Sequence, residues 1–170
     1  MDTILYVDDH IKTSEDSNAI IGFADMSTFH LKPESEIVVN SPPDKGSKLK
    51  LLLGNIWVNV KQMMKNGCME IDMSQAVAGI KGTTFVCEET GYSSILKVID
   101  GTVTFTSKTN GEETLVHAGE MVTATAEGLQ EPVEFDISSE ESSSESTSGD
   151  LRPDDAIPKQ DIAGTEFQGR

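Results

Sequence analysis

Apolar and polar positions alternate in short runs from the first residues to about position 126. In Asn55-Ile56-Trp57-Val58-Asn59-Val60, the residues Ile56, Val58 and Val60 share one face. In Thr102-Val103-Thr104-Phe105-Thr106, Val103 and Phe105 point one way and the threonines the other. A period of two marks a half-buried strand, and β-branched threonine suits its wetter face. Runs of this kind predict strands at 4–7, 18–23, 28–31, 36–39, 56–60, 69–73, 83–87, 95–99, 102–106, 114–117 and 121–126. Val58, Phe85, Val98, Val103 and Phe105 are the expected core. Only residues 60–65 could wind a single helical turn.

Turn-forming residues separate the runs: Ser41-Pro42-Pro43-Asp44-Lys45-Gly46, Lys65-Asn66-Gly67, Asp100-Gly101 and Asn110-Gly111. Asp-Gly and Asn-Gly tolerate positive φ and so favour tight turns. Many short strands with little competing helix predict an all-β fold, a compact and β-solenoid-like roll with a jelly roll or sandwich as the alternative. The pattern fades after residue 128, the expected end of the folded domain that begins at residue 1. Within 129–149, Phe135 and Ile137 could extend a last strand. Residues 138–149 hold no apolar and no cationic residue, the composition of a solvated linker. The tail, 150–170, is polar with scattered Leu151, Ile157, Ile162 and Phe167.

Charge narrows the function classes. Thirteen Lys and Arg face twenty-nine Asp and Glu, a formal net charge of -16. Such a surface repels phosphate backbones and anionic bilayers, which argues against nucleic-acid and direct membrane partners. No apolar run reaches the ~18 residues that a membrane-crossing helix needs. As written, the sequence opens without the basic and apolar segments of a signal peptide. Cys68 shares parity with Glu70 and Asp72, whereas Cys87 shares parity with Phe85, so a bridge between them is not expected.

Candidate chemistry is sparse. Lys81-Gly82-Thr83 lacks the glycine-rich loop and helix of a phosphate cradle, so Gly82 reads as a turn residue and Thr83 as the start of a strand. Asp8-Asp9-His10 with Asp16 or Asp25 lacks the oxygen spacing of a cation loop. His10, His30 and His117 are far apart, and His30 alternates with Phe29 and Leu31, so it faces water or a neighbouring strand. No nucleophile motif accompanies them. No catalytic, cofactor-binding or metal-binding residue is therefore expected, and the chain reads as a non-enzyme. Trp57 has the opposite parity to Ile56 and Val58. It would anchor a partner if its face is open, and pack into a second layer if that face is covered. The acidic serine run is read as a hydrophilic spacer, with phosphorylation or diffuse calcium binding as the other uses of such a composition.

Beyond alternation, an ordered set of short motifs resembles the FecR domain. Asp9, Ile11, Thr13, Ser17, Ala19, Ile21, Phe23, Asp25 and Ser27 keep step with the family's opening segment. Leu31, Pro33 and Ser35 follow, then Leu53-Gly54-Asn55-Ile56-Trp57-Val58, then Ile80-Lys81-Gly82-Thr83-Thr84-Phe85-Val86. Val98 with Gly101-Thr102-Val103 and then Val116-His117-Ala118-Gly119-Glu120 complete the match over about residues 8–125. Asp8 stands where the family usually has Gly, Met26 replaces a turn Gly, and Lys81 replaces Arg. The resemblance implies a roll held by structural turn positions at Gly54, Gly82, Thr83, Gly101 and Gly119. It also implies a non-catalytic module for protein binding, sensing or surface display outside the cytoplasm: periplasmic, cell-surface or secreted. In iron-uptake signalling the family's namesakes relay the state of an outer-membrane receptor to a sigma factor. That relay uses a transmembrane helix and a cytoplasmic segment not found in this sequence, so only the module is expected here. A structural assembly is the first alternative, with Leu151, Ile157, Ile162 and Phe167 pairing the tail to neighbouring copies. A small-molecule-binding β-roll of the cupin kind ranks last, because its spaced His and Glu ligands are missing.

Overall fold

Most of the alternating runs become strands of one continuous, strongly bent sheet. The computed structural model describes residues 3–22, 27–41, 48–60 and 69–141. In chain order the strands are β1 (His10–Lys12), β2 (Ala19–Gly22), β3 (Thr28–Leu31), β4 (Glu36–Ser41), β5 (Lys48–Asn59), β6 (Met69–Asp72) and β7 (Ala76–Ile80). They continue with β8 (Thr84–Glu89), β9 (Ser94–Asp100), β10 (Thr102–Ser107), β11 (Glu113–His117), β12 (Glu120–Thr125), β13 (Gly128–Leu129) and β14 (Val133–Glu134).

The long strand β5 belongs to two sheets. Its first half pairs with β4 and β6, its second half with β3 and β8. A back sheet thus runs β1-β4-β5-β6-β7-β10-β11, and a front sheet runs β2-β3-β5-β8-β9-β12, with β13 and β14 both on β12. The all-β roll is realised as a sheet curled into a half-barrel. β5 and β6 pair in parallel, and the other described pairs are antiparallel.

The bend in β5 is built by residues far apart in sequence. Gly54 sits at φ +99, and a Cβ there would lie 2.5 Å from the Cα of Ser35. Only glycine lets the two backbones approach so closely. Ser35 Oγ accepts from Asn55 N at 2.9 Å and donates to Asn55 O at 3.1 Å. Ser35 N donates to Thr13 Oγ1 at 2.9 Å, and that hydroxyl donates to Lys32 O at 2.6 Å. Three motif positions (Thr13, Ser35 and Gly54) therefore meet at one corner, where both hydroxyls are buried.

The inner faces of both sheets share one core. Phe29, Ile56, Val58, Phe85, Cys87, Leu96 and Val98 come from the front sheet; Ile37, Leu51, Ile71, Val103 and Phe105 come from the back. The five expected core residues are all fully buried. A second pin joins the sheets through Glu89, which is 3% exposed. Its carboxylate accepts from Ser94 Oγ at 2.7 Å, Ser74 Oγ at 2.7 Å, Ser74 N at 3.0 Å and Gly91 N at 2.8 Å. A buried carboxylate persists when its lone pairs are occupied in this way.

Two expectations change, and one turn leads to an unexpected place. Residues 4–7 form no strand: Asp9 Oδ2 accepts from Tyr6 N at 2.8 Å, and Asp8 turns the chain at φ 74. Asp8 thus adopts the left-handed conformation, which aspartate tolerates. Asp100-Gly101 supplies the expected positive-φ turn without closing a hairpin. Gly101, at φ +91, carries the chain from β9 in the front sheet to β10 in the back, and a Cβ there would lie 2.6 Å from Thr83 Cγ2. Residues 137–141, expected as strand end and linker, begin a helical turn. The possible turn at 60–65 lies outside the described residues beyond Val60, as do Cys68 and the tail residues Leu151, Ile157, Ile162 and Phe167.

Candidate functional site

Strand pairing aligns Ile20, His30, Trp57, Val86, Lys97 and Met121 in one row across the outer face of the front sheet. Each alternates with core residues on its own strand, so all six point away from the core. Burial along the row is uneven. Ile20, on the edge strand, is 44% exposed, His30 only 9%, and Val86 only 1%. Val86 is buried yet stands outside the core cluster.

His30 and Trp57 pack edge to face, with ring centroids 5.3 Å apart and planes at 71°. Both rings carry a buried nitrogen without a hydrogen-bond partner among the described residues, His30 Nδ1 and Trp57 Nε1. An indole N–H can only donate, so this spot lacks an acceptor. Burial pushes the His30 pKa below the ordinary histidine value, and the nearby Lys32 charge lowers it further. Neutral imidazole is therefore the favoured form.

Lys97 stands within the row and Lys32 close to His30. Lys97 pairs with Glu88 at 2.5 Å and with Glu140 at 2.8 Å. Burial alone would lower the Lys97 pKa, but hydrogen bonds to Glu140 and Glu88 outweigh it and leave the value above the ordinary one. Lys32 is lowered by burial, and the charge of Glu140 offsets part of that shift. Glu140 thus acts on both lysines. The C-terminal segment carries it there: β14 pairs with β12, Phe135 N donates to Gly119 O at 3.1 Å, and the helical turn 137–141 follows. Phe135, Ile137 and Glu140 are half-buried.

Trp57 is on the outer face that its parity predicts, half-buried rather than open. His30 does face a neighbouring strand. Its closeness to Trp57, and the row with Val86 and Lys97, are not expected from sequence; shared outward parity on successive strands was the available signal. Gly82 and Gly119 occupy positive-φ turns, and Thr83 is buried just before β8. His10 lies beside Glu36 at 3.3 Å and His117 Nδ1 beside Thr102 at 3.1 Å, so the three histidines are not brought together. Cys87 is a free, fully buried thiol whose pKa burial pushes up. Among the described residues no group of three or more His, Cys, Asp or Glu could hold a metal ion, and no helix is long and apolar enough to cross a membrane.

Two crystal structures, each described as a candidate anti-sigma factor from Parabacteroides distasonis, share the fold. One is 13% identical with a TM-score of 0.66, covering 76% of this chain and 61% of the other. The second is 12% identical with a TM-score of 0.66, covering 85% and 65%. The chain therefore spans less than two thirds of either neighbour. No curated protein matches it. The model of the family described as FecR protein matches residues 9–104, from the turn before β1 into β10 and through the Thr13–Ser35–Gly54 corner. That match covers more than half of the sequence, and the chain belongs to the FecR family.

Proposed function

We propose that this protein is a non-catalytic module that binds a protein partner outside the cytoplasm and serves sensing or display. The observation that carries the reading is the family match over residues 9–104, laid on a frame whose motif residues do structural work. Thr13, Ser35 and Gly54 spend their hydrogen-bonding capacity and conformational freedom on the bend of β5. The description of both structural neighbours as candidate anti-sigma factors fits a regulatory role exercised through protein contacts. Residues 1–128 are read as the module, with 129–149 and 150–170 as its linker and tail.

The test is chemical crosslinking in intact cells that express the natural protein, followed by protease added from outside. A discrete protein adduct, degraded once the outermost barrier alone is permeabilised, is the expected result. An adduct protected until the cytoplasmic membrane is broken would contradict the location. Consistent lack of any adduct would contradict the binding role.

A further inference from the structure

Of the features outside the core, the outer row of the front sheet combines the most distinctive chemistry. It holds two rings packed edge to face, two buried nitrogens without partners among the described residues, and a lysine held by Glu88 and Glu140 in a chain of net charge -16. Those features together call for an apolar group beside an acceptor oxygen. Residues 137–141 supply a first instance. Ile137 comes within 4.0 Å of a Cβ position built on Gly119, while Glu140 reaches Lys97 at 2.8 Å.

We propose that the face centred on His30 and Trp57 is the docking site for an acidic, apolar segment of the protein partner, and that the turn 137–141 of this chain holds part of it in cis as a strap. The proposal rests on the protein-binding reading above and names its surface and chemistry. Charge complementarity selects the occupant. A partner carboxylate can replace Glu140 on Lys97, and an acceptor on the same segment can take the Trp57 N–H, which has no partner among the described residues. Burying that donor unpaired disfavours the closed state. Satisfying it is an interaction that only the incoming segment makes, and a differential contact of this kind is what shifts an equilibrium between two states. Ile137 of the strap stands outside the core cluster, so the shared core does not depend on its side chain.

Trp57 is the only tryptophan in the chain, so its emission reports on this face alone. The full chain carrying Ile137→Asp and Glu140→Lys is compared with the unaltered chain by emission maximum and acrylamide quenching. The probe is a synthetic peptide copying residues 131–141. Release is expected to red-shift Trp57 and raise its quenching. Peptide added to the released chain should reverse both, saturably, and a further Lys97→Glu change should weaken that binding about tenfold or more. Unchanged Trp57 emission in the released and still-folded chain would overturn the proposal. So would equal binding of a scrambled peptide. If the double variant does not fold, Glu140→Gln alone carries the same readout. Peptide binding here combined with no crosslinked partner in cells would count against the protein-binding module and leave the strap standing.

Discussion

The two outer faces of the curled sheet are built on the same alternation and end up with different characters. On the back sheet the row His10, Val38, Lys50, Asp72, Val77, Thr106 and Glu113 mixes both charges with small apolar groups. Lys108 pairs with Asp72 beside it, and Val38 and Val77 are only half-buried. This is an ordinary solvated face. On the front sheet the equivalent row buries Val86 and His30, leaves ring nitrogens without partners among the described residues, and is met at Lys97 by Glu140 of the chain's own C-terminal turn. A face that has been desolvated without being satisfied is the one to associate with recognition.

The strongest way to break the comparison is to remove the frame beneath both faces. Phe105→Ala deletes a fully buried ring from the common core and should cost about 3–5 kcal/mol, read as a lowered urea midpoint with both faces lost in one transition. Next, Gly54→Ala forces a Cβ into Ser35 at a positive φ and should cost about 3 kcal/mol. An unchanged midpoint would mean that the corner is not built as described. A matched pair sharpens the contrast itself. Val86→Ala on the front face should cost about 1.5 kcal/mol, while Val77→Ala on the back should cost roughly half of that or less, because Val77 keeps water contact when folded. Equal losses would remove the distinction.

The smallest effect expected is in pH. His30 has a folded pKa below its unfolded value, so the unfolded chain binds more protons near pH 6. Its contribution is fully present above the ordinary histidine value and is lost as pH falls through the lowered folded one. The charge of Lys32, just past the end of β3, adds to that lowering. His30→Gln should flatten this part of the stability profile, measured by urea unfolding at several pH values. An identical profile in the variant would contradict the burial of His30.

Core and strands were legible because alternation is local. Phe85, Val98 and Phe105 fall on the inner face by parity alone. Strand β7 was not legible: Ala76, Ala78 and Gly79 have little strand preference, and the strand forms because β6 and β10 flank it. Asp100-Gly101 announced a turn, but turn chemistry fixes φ and not destination, and the chain changes sheets there. The site was legible only in part for a related reason. Trp57 was recognisable by parity, whereas its row with His30, Val86 and Lys97 depends on register between strands distant in sequence. Glu140 was hidden in a stretch whose composition reads as spacer.

The most direct test of the central claim compares the two faces in cells that express the natural protein. A photo-crosslinking amino acid is placed at Ile20, on the front row, and separately at Leu115, an exposed position on the back sheet. Both side chains lie on edge strands and are accessible, so the comparison isolates the face. The account expects a discrete protein adduct from position 20 and none, or a far weaker one, from position 115. Adducts of equal yield from both positions, or one from position 115 alone, would contradict it.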